Sequence, residues 1–242
     1  MSREIKTDFE EVLSFFENYK ADSVLKNEDA CENIKKMHSV YYATLTTLSS
    51  LVHINAKVPN LSNAEILEGH QDSFWNYLEE IVSELGSTIF LTINGCYKAA
   101  KLTLRSSLEN FFKLVGSINY NKIYSIKSTY EVIDKSGESV YFSGVPGKSI
   151  FDNLKNEYAK LCAAVHTANI EEMQTISSLG YFPHIDLKEL SKISSLYVLL
   201  SKNYISMLSL IFKSEINLMH HRNRDIILEA IPRKIRPHIL SA

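Results

Sequence analysis

Helix breakers are scarce in this chain. Its 242 residues hold 8 Gly and 5 Pro, below the usual shares of about 7% and 5%. That excludes collagen-like and Pro-rich organisations and leaves room for long uninterrupted segments. Cysteine is also sparse: Cys31, Cys96 and Cys162 are odd in number and widely spaced. They exclude a disulfide framework and fit a reducing cytosol. No stretch approaches the roughly 18 unbroken apolar residues that a membrane span needs. The opening residues MSREIKTDFEE are charged from the start, unlike a secretory signal, so a cytoplasmic protein without a membrane partner is expected. Charge of neither sign dominates, with 26 Lys+Arg against 28 Asp+Glu. A protein basic throughout is excluded; a local basic patch is not.

What the chain does have is apolar residues at helical spacing. Hydrophobic residues make up 45%, enough at this length to build a core without a metal or disulfide staple. Residues 3–19 carry Ile5, Phe9, Val12, Leu13, Phe16 and Tyr19 three and four apart, which predicts a helix. A second is expected over 25–56, ended by Val58-Pro59-Asn60. Ser62-Asn63-Ala64-Glu65 reads as a capping box opening a third, through Phe74, Leu78 and Leu85, with Gly86 at its end or at a bend. Helices are then expected over 87–117, from Ser149 to about 167, near 169–179, over 186–218 and over 223–231.

Between 118 and 147 the pattern changes. Tyr130–Ile133 and Ser139–Phe142 flank Asp134-Lys135-Ser136-Gly137, a hairpin signal. The expected fold class is therefore all-α: a bundle of long amphipathic helices with a small β-hairpin or loop insertion near 118–147. No linker or internal repeat divides it. One domain over 1–242 is expected, with N-terminal helices over 1–60, a bundle core over 62–218 and a basic tail over 219–242, kept irregular by Pro232 and Pro237.

Ser143-Gly144-Val145-Pro146-Gly147-Lys148-Ser149 ends like a phosphate-binding loop. It has Phe142 where such a loop needs its first Gly, and no parallel βαβ pattern surrounds it. It is read as loop-to-helix punctuation that does not bind ATP or GTP. A stronger constellation lies on two helices. Lys101, Arg105 and Glu109 step by four along one edge of the 87–117 helix. Tyr158, Cys162 and His166 step by four along the other. Arg105 and His166 both fall at the borders of their apolar stripes, where two packed seams would bring them to one rim. The same spacing also suits a plain structural role: Arg105 snorkelling to pair with Glu109, and His166 satisfying carbonyls at a helix end.

Asn94-Gly95-Cys96-Tyr97-Lys98-Ala99-Ala100-Lys101-Leu102-Thr103-Leu104-Arg105-Ser106-Ser107-Leu108-Glu109 resembles a recurrent helix of the HEPN superfamily. Leu154 to His166, with its Tyr-x-x-Leu-Cys-x-x-Val-His run, resembles the companion helix. The resemblance covers about residues 63–215. It implies an α-helical bundle, commonly dimeric, from toxin–antitoxin, abortive-infection or CRISPR-linked systems. Many such proteins are metal-independent endoribonucleases. On that likeness Arg105, Glu109 and His166 are the catalytic candidates, with no metal and no cofactor. Lys98, Lys101, Tyr158, Arg222 and Arg224 are the substrate-binding candidates. The expected partners are RNA and a second copy or a partner defence or antitoxin protein. The chain departs from the family in one respect: catalytic members usually carry Arg and His on one helix with four to six residues between them, and Ser-Ser-Leu-Glu-Asn-Phe-Phe follows Arg105 here. A formal match, Arg233 to His238, contains Pro237 and is not one clean helical face.

Charge is segregated along the chain. Lys98, Lys101, Arg105, Lys113, Lys122 and Lys127 face only Glu109 between 98 and 127. Residues 65–84 carry acids alone. Such segregation makes either a phosphate-facing surface or ordinary solvated helix faces. The two functions expected are thus a HEPN-like ribonuclease and a non-catalytic helical module that dimerises or binds a partner or RNA.

Overall fold

Periodicity and side-chain caps set most of the architecture. The computed structural model describes residues 3–59, 69–165, 173 and 178–241. The described residues are mainly helical and include no strand. Helix α1 (Arg3–Asn18) and the single turn α2 (Asp22–Leu25) lead into α3 (Glu28–His53). Asn27 caps α3 by accepting the Ala30 N–H at 2.9 Å, satisfying one of the donors a helix start leaves free. The expected 25–56 helix is thus split at Lys26–Asn27. The capping box at Ser62 to Glu65 and most of the helix expected near 169–179 lie outside the described residues.

Helix α4 (His70–Ile93) runs straight through Gly86, so the expected end there is corrected. Gly86 lies where α3 crosses α4: a Cβ on it would come within 2.8 Å of the Tyr41 hydroxyl. The break falls instead at Gly95, whose φ of 74° is in the left-handed region that glycine enters without steric cost. Helix α5 (Tyr97–Gly116) then returns beside α4.

The expected hairpin is also corrected. Thr129–Gly137 is helix α6 and Val140–Ser143 a helical turn, α7. Ser128 caps α6 by accepting the Glu131 N–H at 3.4 Å. Val132, Ile133 and Ser136 are buried, three and four apart, a helical rather than a strand period. The Ser136 hydroxyl donates to the Phe112 carbonyl at 2.7 Å, and Gly116 leaves room for that close approach of α5 and α6.

Helix α8 (Gly147–Val165) packs on α5, and α9 (Leu187–Ile211) packs on α3, α5 and α8. Asp186 caps α9 through the Lys188 and Glu189 N–H groups at 3.0 and 3.1 Å. A bend at Phe212 passes to α10 (Lys213–Leu218), so the expected 186–218 helix is two. Helix α5 is central. Leu104, Leu108, Phe111, Phe112, Leu114 and Val115 are fully buried, so it is apolar nearly all round towards its end, as a core helix must be.

The C-terminal segment is not an irregular tail. Helix α11 (His221–Ala230) and the short α12 (Arg236–Leu240) fold back onto the bundle, burying Ile227, Ile231, Ile235 and Ile239. Pro237 sits in the first turn of α12, where its missing N–H costs nothing.

Candidate functional site

The α5–α8 seam brings three of the expected residues together. The Arg105 Nε lies 3.0 Å from Glu109 Oε1, and both side chains are about three-quarters buried, at 24% and 26% exposure. The Nε–H is poorly aligned on that carboxylate and makes no hydrogen bond, so the attraction is chiefly Coulombic. From α8, the Tyr158 hydroxyl donates to Glu109 Oε1 at 3.1 Å. The Arg105 guanidinium also stands 5.8 Å from the Tyr158 ring centre, within cation–π range.

Burial pushes the Tyr158 phenol up to about 12, with further upward pushes from Cys162 and Glu109 that outweigh the hydrogen bond to Arg105. At neutral pH it is therefore protonated, donating to Glu109 with its oxygen still able to accept from Arg105. Arg105 keeps its charge: its partners Tyr158 and Glu109 more than offset the cost of burial and raise its pKa. The result is a held cation at the border of the core, carried on two rigid helices. His166, the other expected catalytic residue, lies outside the described residues.

The remaining candidates are spread over the bundle. Lys101, one turn before Arg105, is tied to Glu189 of α9 at 3.0 Å. Lys98 is a further turn towards the start of α5 and partly buried. Arg222 and Arg224 stand on α11, which packs against α3 and α9. Arg224 donates to the Asn217 carbonyl at 3.4 Å, and Asn223 between them donates to Ser50 of α3 at 2.9 Å. Lys148 of the Gly-Lys-Ser sequence is turned along its own helix to Asp152 at 2.9 Å and over the Phe151 ring. Phosphate capture in the manner of a nucleotide-binding loop would require it to leave both.

The sequence reading missed Glu84. This α4 carboxylate is 9% exposed and accepts from Asn110 of α5 at 3.2 Å. Burial raises its pKa, opposed by hydrogen bonds from Ser106 and Asn110 and assisted by Glu80 and Glu109. Its place on the face of α4 that meets Asn110 of α5 was not visible without that pairing. Because its proton is held more tightly in the folded chain than in the unfolded one, ionisation costs the folded state. That cost is absent below the ordinary carboxylate pKa and fully present above the raised one. Glu84→Gln is therefore expected to melt a few degrees higher than the parent at pH 7 and to match it at pH 3.5. A lower melting temperature at pH 7 would show that the carboxylate is net stabilising.

Comparison with protein-family models, curated proteins and solved structures finds no match.

Proposed function

We propose that the chain is a HEPN-like helical protein of a prokaryotic defence or toxin system that acts on RNA at the α5–α8 seam. The observation that carries this reading is Arg105, held at the edge of the core by Glu109 and Tyr158. A fixed cation of this kind suits a phosphate whose charge grows during reaction.

The reaction proposed is metal-independent transesterification. The RNA 2′-oxygen attacks the adjacent phosphorus as His166 takes its proton. The bond to the 5′-oxygen breaks, and a proton returned to that oxygen leaves a cyclic phosphate and a free hydroxyl. Arg105 balances the charge of the phosphorane, and Glu109 and Tyr158 position Arg105. A second reading is supported by the Glu109 carboxylate, which already neutralises Arg105, together with the Ser-Ser-Leu-Glu-Asn-Phe-Phe run that replaces the family's same-helix His. On that reading the bundle is a non-catalytic module that dimerises or binds RNA or a partner defence protein.

Cleavage of a mixed RNA pool in EDTA decides between them. On the ribonuclease reading, Arg105→Ala and His166→Ala each lower the rate by roughly 10²–10⁴-fold. The Arg105→Ala melting temperature should move little, since a partly exposed pair is worth about 0–1 kcal/mol. No cleavage by the parent protein, with Arg105→Ala losing several degrees, would favour the interaction module and a structural Arg105.

A further inference from the structure

The start of α8, α9 and the segment before α12 enclose a groove of about 390 Å³ away from the Arg105 seam. Leu199, Lys202 and Asn203 of α9 line it on one side, spaced so that they share a helix face. Asn203 is the informative residue. It is 8% exposed, and among the described residues its amide has no hydrogen-bond partner. Its amide atoms are not among the sealed, unpartnered polar atoms of the core, so they open onto the groove and are available to whatever occupies it.

The groove's charged side chains are of one sign. Lys202 and Lys234 are in no ion pair among the described residues. His238 adds a ring nitrogen, and no carboxylate is among the described lining residues. The 19-residue helix α8 begins at this groove, adding the positive end of its dipole. Its first N–H groups are turned back: Lys148 bonds to Gly144 and Ser149 to Pro146. Side chains, not a backbone nest, therefore supply the donors. Ser149 and Asn153 add neutral polar groups, and the remaining walls are apolar, including Pro146 and Pro232.

We propose that this groove binds a small organic phosphomonoester, its phosphate between Lys202 and Lys234 and its apolar body against the prolines, with the Asn203 amide bonded to the ligand. Two lysines and a helix start exceed what one carboxylate needs. They match a phosphomonoester, which carries about −1.5 to −2 charges at pH 7. The volume lies at the lower end of small-ligand sites, about 300–1,000 Å³, and suits a mononucleotide-sized molecule. The site is independent of the α5–α8 seam and stands whether or not the chain cleaves RNA.

Titration calorimetry with AMP, adenosine and inorganic phosphate tests it on the full chain. AMP is expected to bind at least tenfold more tightly than phosphate, and adenosine not at all. Lys202→Ala and Lys234→Ala should each weaken AMP at least fivefold, as should Asn203→Ala if its melting temperature is retained, while Lys122→Ala leaves binding unchanged. No AMP heat up to millimolar concentration overturns the proposal. So does equal binding of adenosine and AMP, or binding unchanged in both lysine variants.

Discussion

Gly95→Ala is expected to cost about 3 kcal/mol or more, from left-handed strain and overpacking together. For a chain of this size that is a loss of roughly 6–12 °C in melting temperature. Gly95 holds φ at 74°, and a Cβ there would lie 2.2 Å from the His184 carbonyl oxygen. The neighbour is backbone and is pinned in place. The Tyr97 hydroxyl donates to that same carbonyl at 3.1 Å and accepts the Asp186 N–H at 2.9 Å. Asp186 in turn caps α9. On the other side, Asn94 receives the Tyr19 hydroxyl from just beyond α1. One corner thus joins the α4–α5 turn, the end of α1 and the entry to α9. Gly86→Ala is the contrasting case. Its Cβ would meet only the outer end of Tyr41, and Ala gains about 1 kcal/mol over Gly within a helix. Its melting temperature should stay close to the parent's. Equal melting of Gly95→Ala and the parent would show that the corner is not fixed as described.

The contrast between those glycines also marks how far the sequence is legible. The apolar stripe of α9, from Leu190 through Tyr197 and Tyr204 to Ile211, is buried as its spacing predicts, because deep core positions follow the helical period. On α3 the stripe that spacing picks out runs through Ile34, Met37, Tyr41, Leu45, Leu48 and Val52; Ile34 and Met37 are buried, but the second half of the helix turns another face inward. Leu45 and Val52 are exposed, while Thr44 and Thr47 are buried and bond back to the Val40 and Ala43 carbonyls at 2.8 Å. A threonine that satisfies its hydroxyl on its own helix packs like an apolar residue, and composition does not reveal which ones do. The 129–143 segment was misread because β-branched residues and Ser-Gly signal strand and turn locally; burial against α5 made it helical, tertiary packing overriding propensity. Four-residue spacing was enough to pair Arg105 with Glu109, a local contact. Tyr158 reached them only because α5 and α8 pack. Lys101 with Glu189, Glu84 with Asn110 and the unpartnered Asn203 all depend on helix order in space, which no one-dimensional pattern encodes.

The second large effect is expected at Tyr204, the residue next to Asn203 that points the other way, into the core. It is fully buried, its ring stacked on Phe111 of α5 with centres 4.2 Å apart and planes 24° from parallel. Its hydroxyl meets the Ser107 hydroxyl at 3.2 Å. Burial raises its pKa, assisted by Glu84 and opposed by the bond to Ser107, so the phenol is neutral at pH 7. Tyr204→Ala removes the ring from between two central helices and leaves a cavity that rigid neighbours fill poorly, at a cost of about 3–5 kcal/mol. Tyr204→Phe keeps the ring and removes one hydrogen bond. Ser107 still donates to the Leu104 carbonyl at 2.8 Å, so no buried donor is stranded and the cost should be about 1 kcal/mol. Urea denaturation of both variants separates the contributions. A Tyr204→Phe loss as large as that of Tyr204→Ala would mean that the hydroxyl, not the stacked ring, ties α9 to α5.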